Sequence, residues 1–405
     1  MFYKTKPINI NDLTRPIKSF GDRVYDGNHE FESMRNIFEL EDLYCYKNQI
    51  ISKSHNGEFI NIIGTKPEKR NFISYFSFLE KFKLSKATKI NNEKNNFIFI
   101  PLNRKKGNYW HCLVDNISQL LFILQNIKNV NVLLPEDTGE VIKKYVSFLA
   151  NIYKFTIMEL DYKSPIYLNC KVVLTEPSLF GGFEHNKKIG NQLIDLAKEE
   201  LKIKKIDKKK IVYKFGSIPH KFLIEDKNKG EKYFYKCYAS LRATPLRNSA
   251  VKALNKFAFS VTKNQNSPKK IIYSKRDGDN SKDLLDRNPI NETELIRTIS
   301  EKFNVEVIDF SKLEFNKQID IMQNTKLFIG VHGSGPANTV FMHSNTHFIE
   351  IMPYKYSVPV TDMSKILTYF TKINYTRIDG TENDVKNTYN VPINKIVKAI
   401  HDSQD

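Results

Sequence analysis

Three short stretches of the 405-residue chain carry residue types that could do chemistry. In the first, Asn108 to Leu124, His111 and Asp115 stand one helical turn apart, where the two side chains can act together. A carboxylate at Asp115 could take a proton from an incoming hydroxyl, with His111 orienting it or holding substrate. The alternative is a solvated His/Asp pair that only caps or decorates a helix. In the second stretch, Lys269 to Leu295, an apolar run ends at Ser274 and is followed by Lys275, Arg276, Arg287, Asn291 and Glu292. Cations just beyond a strand's carboxyl end suit a pyrophosphate, which an arginine grips bidentately. Asn291 with Glu294 three residues on also reads as a helix-capping box. In the third, Leu327 to Pro353, an apolar run breaks at His332-Gly333-Ser334-Gly335 and resumes as a short helix from Pro336. Exposed N–H groups at a helix start favour an anion, glycine lets a phosphate come close, and Pro336 has no N–H to lose. His332 adds a side chain that can donate to a phosphate or join in catalysis.

Other candidates are weaker. Asp277-Gly278-Asp279 has the DxD spacing that holds a divalent cation through oxygen ligands, but no further acidic cluster supports it, so no metal is expected. Gly181-Gly182-Phe183-Glu184-His185 follows a strand and reads as a loop with at best a substrate-facing edge. His343 and His347 flank a turn and read as surface residues. There is no GxSxG, Walker or HExxH motif.

These stretches must be positioned by alternating elements. Strands are expected at Asn96–Pro101, Val130–Pro135, Phe155–Leu160 and Lys171–Leu174, with helices at Tyr109–Ile127 and Gly139–Ile152. On the first of those helices, Leu113, Ile117, Leu120, Leu121 and Leu124 line one apolar face, with His111, Asp115, Ser118 and Phe122 on the other side. A helix over Leu246–Val261 leads into a second series, with strands at Lys270–Ser274, Val305–Phe310, Lys326–Val331 and Phe348–Met352, followed by a helix at Val360–Phe370, a strand-like Asn374–Ile378 and a last helix at Pro392–His401. The order points to parallel sheets with helices on both faces, and to two successive Rossmann-like α/β/α domains facing a cleft. The boundaries expected are a β-rich N-terminal extension over 1–90, an acceptor-side domain over 91–245, a nucleotide-sugar domain over 246–355, and C-terminal helices over 356–405 packing back on the domains. Asn-Gly at 56–57 reads as a hairpin turn, and the lysine-laden stretch 201–236 as an insertion or surface arm.

Hydrophobic residues make up 40% of the chain and charged residues 27%, which describes a soluble globular protein. No apolar run approaches the ~18 residues of a membrane span, and MFYKTKPINI contains no segment of signal-peptide length, so the expected location is cytoplasmic. The four cysteines are scattered without zinc or CxxC spacing and read as reduced packing residues. The sequons at Asn116 and Asn291 fall inside the candidate stretches, which again favours a compartment without N-glycosylation; a third is at Asn374. A net charge of +18 suits phosphate-bearing substrates, an anionic membrane surface or nucleic acid. Lysine bias explains much of it, and no nucleic-acid motif is present, so nucleic acid is an unlikely partner.

Taken together, the three stretches resemble glycosyltransferase family 61. The resemblance rests on the aromatic-His-x3-Asp helix (Trp110, His111, Asp115), on Ser274, Lys275, Arg276, Arg287, Asn291 and Glu292, and on His332, Gly333, Gly335, Asn338, Glu350 and Pro353. They follow the family's order over roughly residues 96–355. Lys275-Arg276 stands where the family usually doubles arginine, the 277–286 loop is longer and more acidic, and Pro336 replaces an apolar residue. The resemblance implies a GT-B architecture and a metal-independent, inverting transfer from a nucleotide sugar, with a UDP-sugar as one candidate donor and no further cofactor. It implies donor contacts at Ser274, Arg276, Arg287, Asn291, Glu292, His332, Gly333, Ser334, Gly335, Asn338 and Glu350. Catalysis falls to Asp115 as base, assisted by His111. The acceptor expected is a glycan or lipid-linked saccharide in cell-surface or capsular polysaccharide synthesis, met at the inner face of an anionic membrane. The rivals are a metal-dependent transferase or phosphotransferase using Asp277 and Asp279, a basic nucleic-acid-binding protein, and an inactive family member acting as a lectin or scaffold.

Overall fold

The computed structural model describes residues 15–25, 30–46, 49–53, 59–64, 83–91, 97–99, 109–136, 138–161, 164–175, 206–213, 219–224, 246–262, 267–275, 289–353, 363–382 and 389–404. They form two compact α/β units. The first takes the described residues up to 99 and those from 111 to 250; the second takes 109–110 and those from 251 onward. The chain therefore passes from the second unit to the first between Trp110 and His111.

In the first unit the strands run in chain order as β1 (Pro16–Tyr25), β2 (Glu30–Leu40), β3 (Leu43–Tyr46), β4 (Gln49–Lys53), β5 (Phe59–Gly64), β6 (Thr88–Asn91) and β7 (Phe97–Phe99). After them come β8 (Val130–Pro135), β9 (Ile157–Leu160), β10 (Ile166–Asn169), β11 (Val172–Thr175), the hairpin β12 (Ile206–Tyr213) and β13 (Pro219–Ile224), and β14 (Leu246–Arg247). One sheet has the order β14-β1-β2-β11-β7-β8-β9, and a second has β5-β4-β3-β10-β6. Strands β11, β7, β8 and β9 pair in parallel, as expected of an α/β unit. Two features differ from the sequence reading. The strands of the expected N-terminal extension are members of these sheets: β2 pairs antiparallel with β11, and β3 with β10. The core also joins Leu40, Ile98, Leu133, Val172 and Leu174 of the first sheet to Leu43, Cys45, Ile50, Ile166 and Leu168 of the second. A sheet thus covers a face where helices were expected. Strands β4 and β5 pair antiparallel on either side of the Asn-Gly position, as a hairpin requires.

The helix after β7 opens as a π-helical segment, His111–Ile117, and continues as α1, Ser118–Leu124. It is buried on every side: Leu113, Ile117, Leu120 and Leu121, but also Asp115, Ser118 and Phe122. The solvated polar face is absent, because Phe20 packs edge-on against Phe122 and the Arg35 guanidinium lies 4.2 Å over the same ring. Helix α2, Glu140–Tyr153, buries Ile142, Tyr145, Val146 and Leu149 at amphipathic spacing, with Glu140 in its first turn to suit the helix dipole.

Helix α3, Asn248–Val261, leads into the second unit. There follow β15 (Lys270–Ser274), α4 (Glu292–Lys302), β16 (Val305–Ile308), α5 (Phe315–Gln323), β17 (Thr325–Val331) and β18 (His347–Met352). Helix α6 (Met363–Thr371), β19 (Asn374–Asp379), the small pair β20 (Thr381–Glu382) and β21 (Tyr389–Asn390), and α7 (Ile393–Asp402) complete it. The sheet is parallel throughout, in the order β16-β15-β17-β18-β19. Counted within the unit this is 2-1-3-4-5, a doubly wound order whose switch point lies between β15 and β17. Strand β19 falls on the strand-like stretch expected at Asn374–Ile378, and its pairing with β18 carries the sheet past the boundary expected at residue 355. One face (Ile271, Tyr273, Leu327, Ile329, Ile349, Ile351) packs with Leu295 and Ile299 of α4 and Ile396 and Ile400 of α7. On the alternate positions Phe328 stacks on Phe348 at 5.4 Å between centroids, and Phe310 meets Phe328 edge-on at 5.9 Å. Burial on both faces explains why β15, β17 and β18 read as nearly continuous apolar runs.

Candidate functional site

In an open parallel sheet, ligands bind beyond the carboxyl ends of the strands at the switch point. Here that places Ser274, which ends β15, beside the turn that follows β17. A Cβ built on Gly335 would lie 3.7 Å from Ser274 Oγ. The structure thus brings together two stretches that are some sixty positions apart in the sequence. The helix expected from Pro336 is a seven-residue 3-10 helix, Gly335–Phe341, with Pro336 in its first turn. So short a helix has little dipole, and the burden of holding an anion shifts to side chains.

His332 leaves β17 7% exposed, with its backbone N–H donating to Ile351 O at 2.8 Å. Its Nδ1 lies 2.8 Å from Glu350 Oε1. Glu350 is wholly buried and accepts two more hydrogen bonds, from Ser364 Oγ at 2.7 Å and from Tyr375 Oη, to Oε2, at 2.6 Å. Strand register explains the convergence. Glu350 pairs with Gly330 on one side and Arg377 on the other, so His332 and Tyr375 each sit on a same-face diagonal. The carboxylate, expected as a donor contact, is enclosed by these three partners and orients the imidazole.

Asn291 Nδ2 donates to Val391 O and its Oδ1 accepts from Val391 N, both at 2.9 Å. The side chain makes no capping bond to α4, so the capping box is not formed. Asn291 instead ties the start of α4 to the C-terminal segment. Glu292 accepts from the buried Tyr273 hydroxyl at 2.8 Å, and burial first, then the Glu292 charge, holds that phenol well above its usual range. Arg276, Arg287, Asp277, Asp279, Gly181 and His185 lie outside the described residues. Among the described residues no three His, Cys, Asp or Glu side chains converge as metal ligands would. His343 and His347 are half-buried and not surface residues, and burial lowers the pKa of both.

Sequence reasoning passed over Tyr109. Its hydroxyl lies 2.8 Å from Gln318 Oε1 and also meets the Asn338 amide. Gln318 Nε2 is committed to Phe310 O and Leu313 O, which fixes its Oε1 toward the tyrosine. The Tyr109 hydroxyl thus sits between two amide oxygens, Gln318 Oε1 and Asn338 Oδ1, and can donate to either. Asn338, 1% exposed, thereby fixes the 3-10 helix that follows the glycine turn. The spacing of one tyrosine against residues over two hundred positions away offered no local signal.

In the first unit His111 Nδ1 lies 2.7 Å from Asp115 Oδ2. The π turn also lets Asn116 Nδ2 donate to His111 O at 3.0 Å, five residues back. π segments are rare and gather at functional sites. The Asp115 side chain is 1% exposed and that of His111 17%. Of the pair, the imidazole keeps some exposure and the carboxylate almost none. Cys112, next in the chain, is buried, and desolvation pushes its thiol up to about 12, so it is no nucleophile at neutral pH.

A family model described as Glycosyltransferase 61 matches residues 109–349, well over half of the chain. The match runs from just before the His111–Asp115 turn to the residue before Glu350. No curated protein matches the chain.

Proposed function

The chain belongs to glycosyltransferase family 61, and we propose that it moves a sugar from a nucleotide-sugar donor to an acceptor hydroxyl with inversion, using His111 as the general base. The observation that carries this reading is the His111–Asp115 pair, closed at 2.7 Å on a π turn inside the family-matched region. In a single displacement the acceptor oxygen attacks the anomeric carbon while its proton passes to His111 Nε2. The bond from that carbon to the phosphate oxygen breaks, and the nucleoside diphosphate leaves with the electron pair. Asp115, on Nδ1, fixes the tautomer and balances the charge that His111 acquires.

The donor is assigned to the second unit, in a GT-B arrangement whose other half carries the base. Support comes from its doubly wound order, from Ser274 beside Gly335 at the switch point, and from His332 held on Glu350. With Nδ1–H given to Glu350, donation from His332 to a departing phosphate uses a proton on Nε2, which means the doubly protonated ring. Arg276 and Arg287 complete the proposed diphosphate contacts, a UDP-sugar is a candidate donor, and the reaction proceeds without a metal. The proposed acceptor is a glycan or lipid-linked saccharide of polysaccharide synthesis, met at the cytoplasmic face of an anionic membrane. The +18 charge suits that surface, and no helix among the described residues is long and apolar enough to cross it.

The test is a panel of nucleotide sugars incubated with saccharide acceptors in the presence and absence of EDTA, with the product's anomeric configuration read by NMR. One donor should give an inverted glycoside at the same rate in both conditions. A retained configuration, or activity lost to EDTA, would refute the mechanism.

A further inference from the structure

Asn116 and Gln119 follow Asp115 on the buried helix, 2% and 0% exposed. Asn116 Nδ2 is satisfied by His111 O, but among the described residues its Oδ1 has no hydrogen-bond partner, and neither end of the Gln119 amide has one. A buried polar group left bare costs about 1–3 kcal/mol, and here three atoms are bare on adjoining turns of one helix. Leu120, Leu121 and Ile123 around them are apolar and buried. An apolar side chain would fit such surroundings without penalty, so the two amides call for a polar occupant.

We propose that Asn116 and Gln119 hold at least two internal water molecules beside the Asp115 carboxylate. The bare atoms are two acceptors, Asn116 Oδ1 and Gln119 Oε1, and one donor, Gln119 Nε2. Water supplies both O–H donors and lone pairs, so it complements all three. The two ends of one amide point apart, and a single water cannot serve both. A saccharide hydroxyl has the same chemistry but is shut out, because both residues are closed to solvent. Gln119 lies one helical turn beyond Asp115, which sets water bound there alongside the carboxylate. These waters solvate Asp115 while His111 takes up a proton. Their part in catalysis rests on the reading of His111 and Asp115 given above; their binding does not.

Two measurements separate these claims. A crystal structure of the unmodified chain, at a resolution that orders water, should show one water about 2.7–3.2 Å from Asn116 Oδ1 and another at that distance from the Gln119 amide. Amide ends paired with protein groups, or a dry site, would overturn the proposal. The near-isosteric Gln119→Met removes the groups that hold water at this position and should leave donor KM unchanged. Its kcat should fall about tenfold, a small part of what general-base help is worth. An unchanged kcat would remove the catalytic role. Ordered water in a protein that transfers no sugar would count against the proposed activity and leave the water site standing. Because the crystallographic arm uses the unmodified chain, a variant that fails to fold does not blunt the test.

Discussion

At positions 111 and 115 the imidazole keeps some exposure and the carboxylate almost none, and the proposed roles, proton transfer for His111 and orientation for Asp115, rest on that difference. The second His–carboxylate pair, His332–Glu350, is built differently, because two hydroxyls also donate to its carboxylate. Glu350→Gln would turn an amide N–H toward at least one of these donors. It should lower stability by about 1–3 kcal/mol and depress transfer as well, which thermal denaturation and the rate together would show. Tyr375→Phe removes one donor only and should cost about 1 kcal/mol. Cys112 should resist iodoacetamide in the folded protein at pH 7.5 and react once unfolded, since burial holds its thiol up to about 12. Residue types in their spacing revealed His111, Asp115, Ser274 and His332 as chemically able. Ser364 and Tyr375 left no such trace, because they reach Glu350 only through an edge strand and a helix folded far along the chain.

Elements were legible wherever one period dominated. The strands β15, β17 and β18 announced themselves as apolar runs because both faces of their sheet are covered there. The helix at 111–124 announced itself too, but not its π opening or its complete burial. Those depend on Phe20 and Arg35, which arrive from a distant hairpin. Asn291 shows the limit from the other side: a sequence pattern that fits a capping box is overridden by a tertiary contact to Val391. Near the end of the chain a Cβ on Gly380 would fall far inside van der Waals contact of the buried Tyr389 ring. Gly380→Ala should therefore lower stability by about 1–3 kcal/mol, read as a drop in Tm. His343 and His347 set a pH dependence. Burial lowers the pKa of both in the folded chain, so below about 6.5 the unfolded chain binds more protons than the folded one. Stability should be fully present above that pH and fall as pH drops through it toward the lowered folded values. The urea midpoint should be lower at pH 5.5 than at pH 7.5, and His347→Gln should reduce the difference.

At the scale of the molecule, two α/β units were legible from alternating strands and helices, but their edges were not. The strands β1 to β5 read as a separate extension because their partners, β10 and β11, lie over a hundred positions onward. Strand β19 was legible as a strand over Asn374–Ile378, but its place in the second unit's sheet, beyond the expected boundary at 355, was not. Family membership covers the region that carries the base and the glycine turn, and the chemistry assigned to each half is open to direct test. The most direct measurement follows nucleoside diphosphate release from the donor in wild type and His111→Ala, with nucleotide affinity determined on the same preparations. Release should fall by about 10²-fold or more in the variant, with nucleotide affinity unchanged. A variant that releases the diphosphate at the wild-type rate, or that loses the nucleotide, would contradict the assignment of the base.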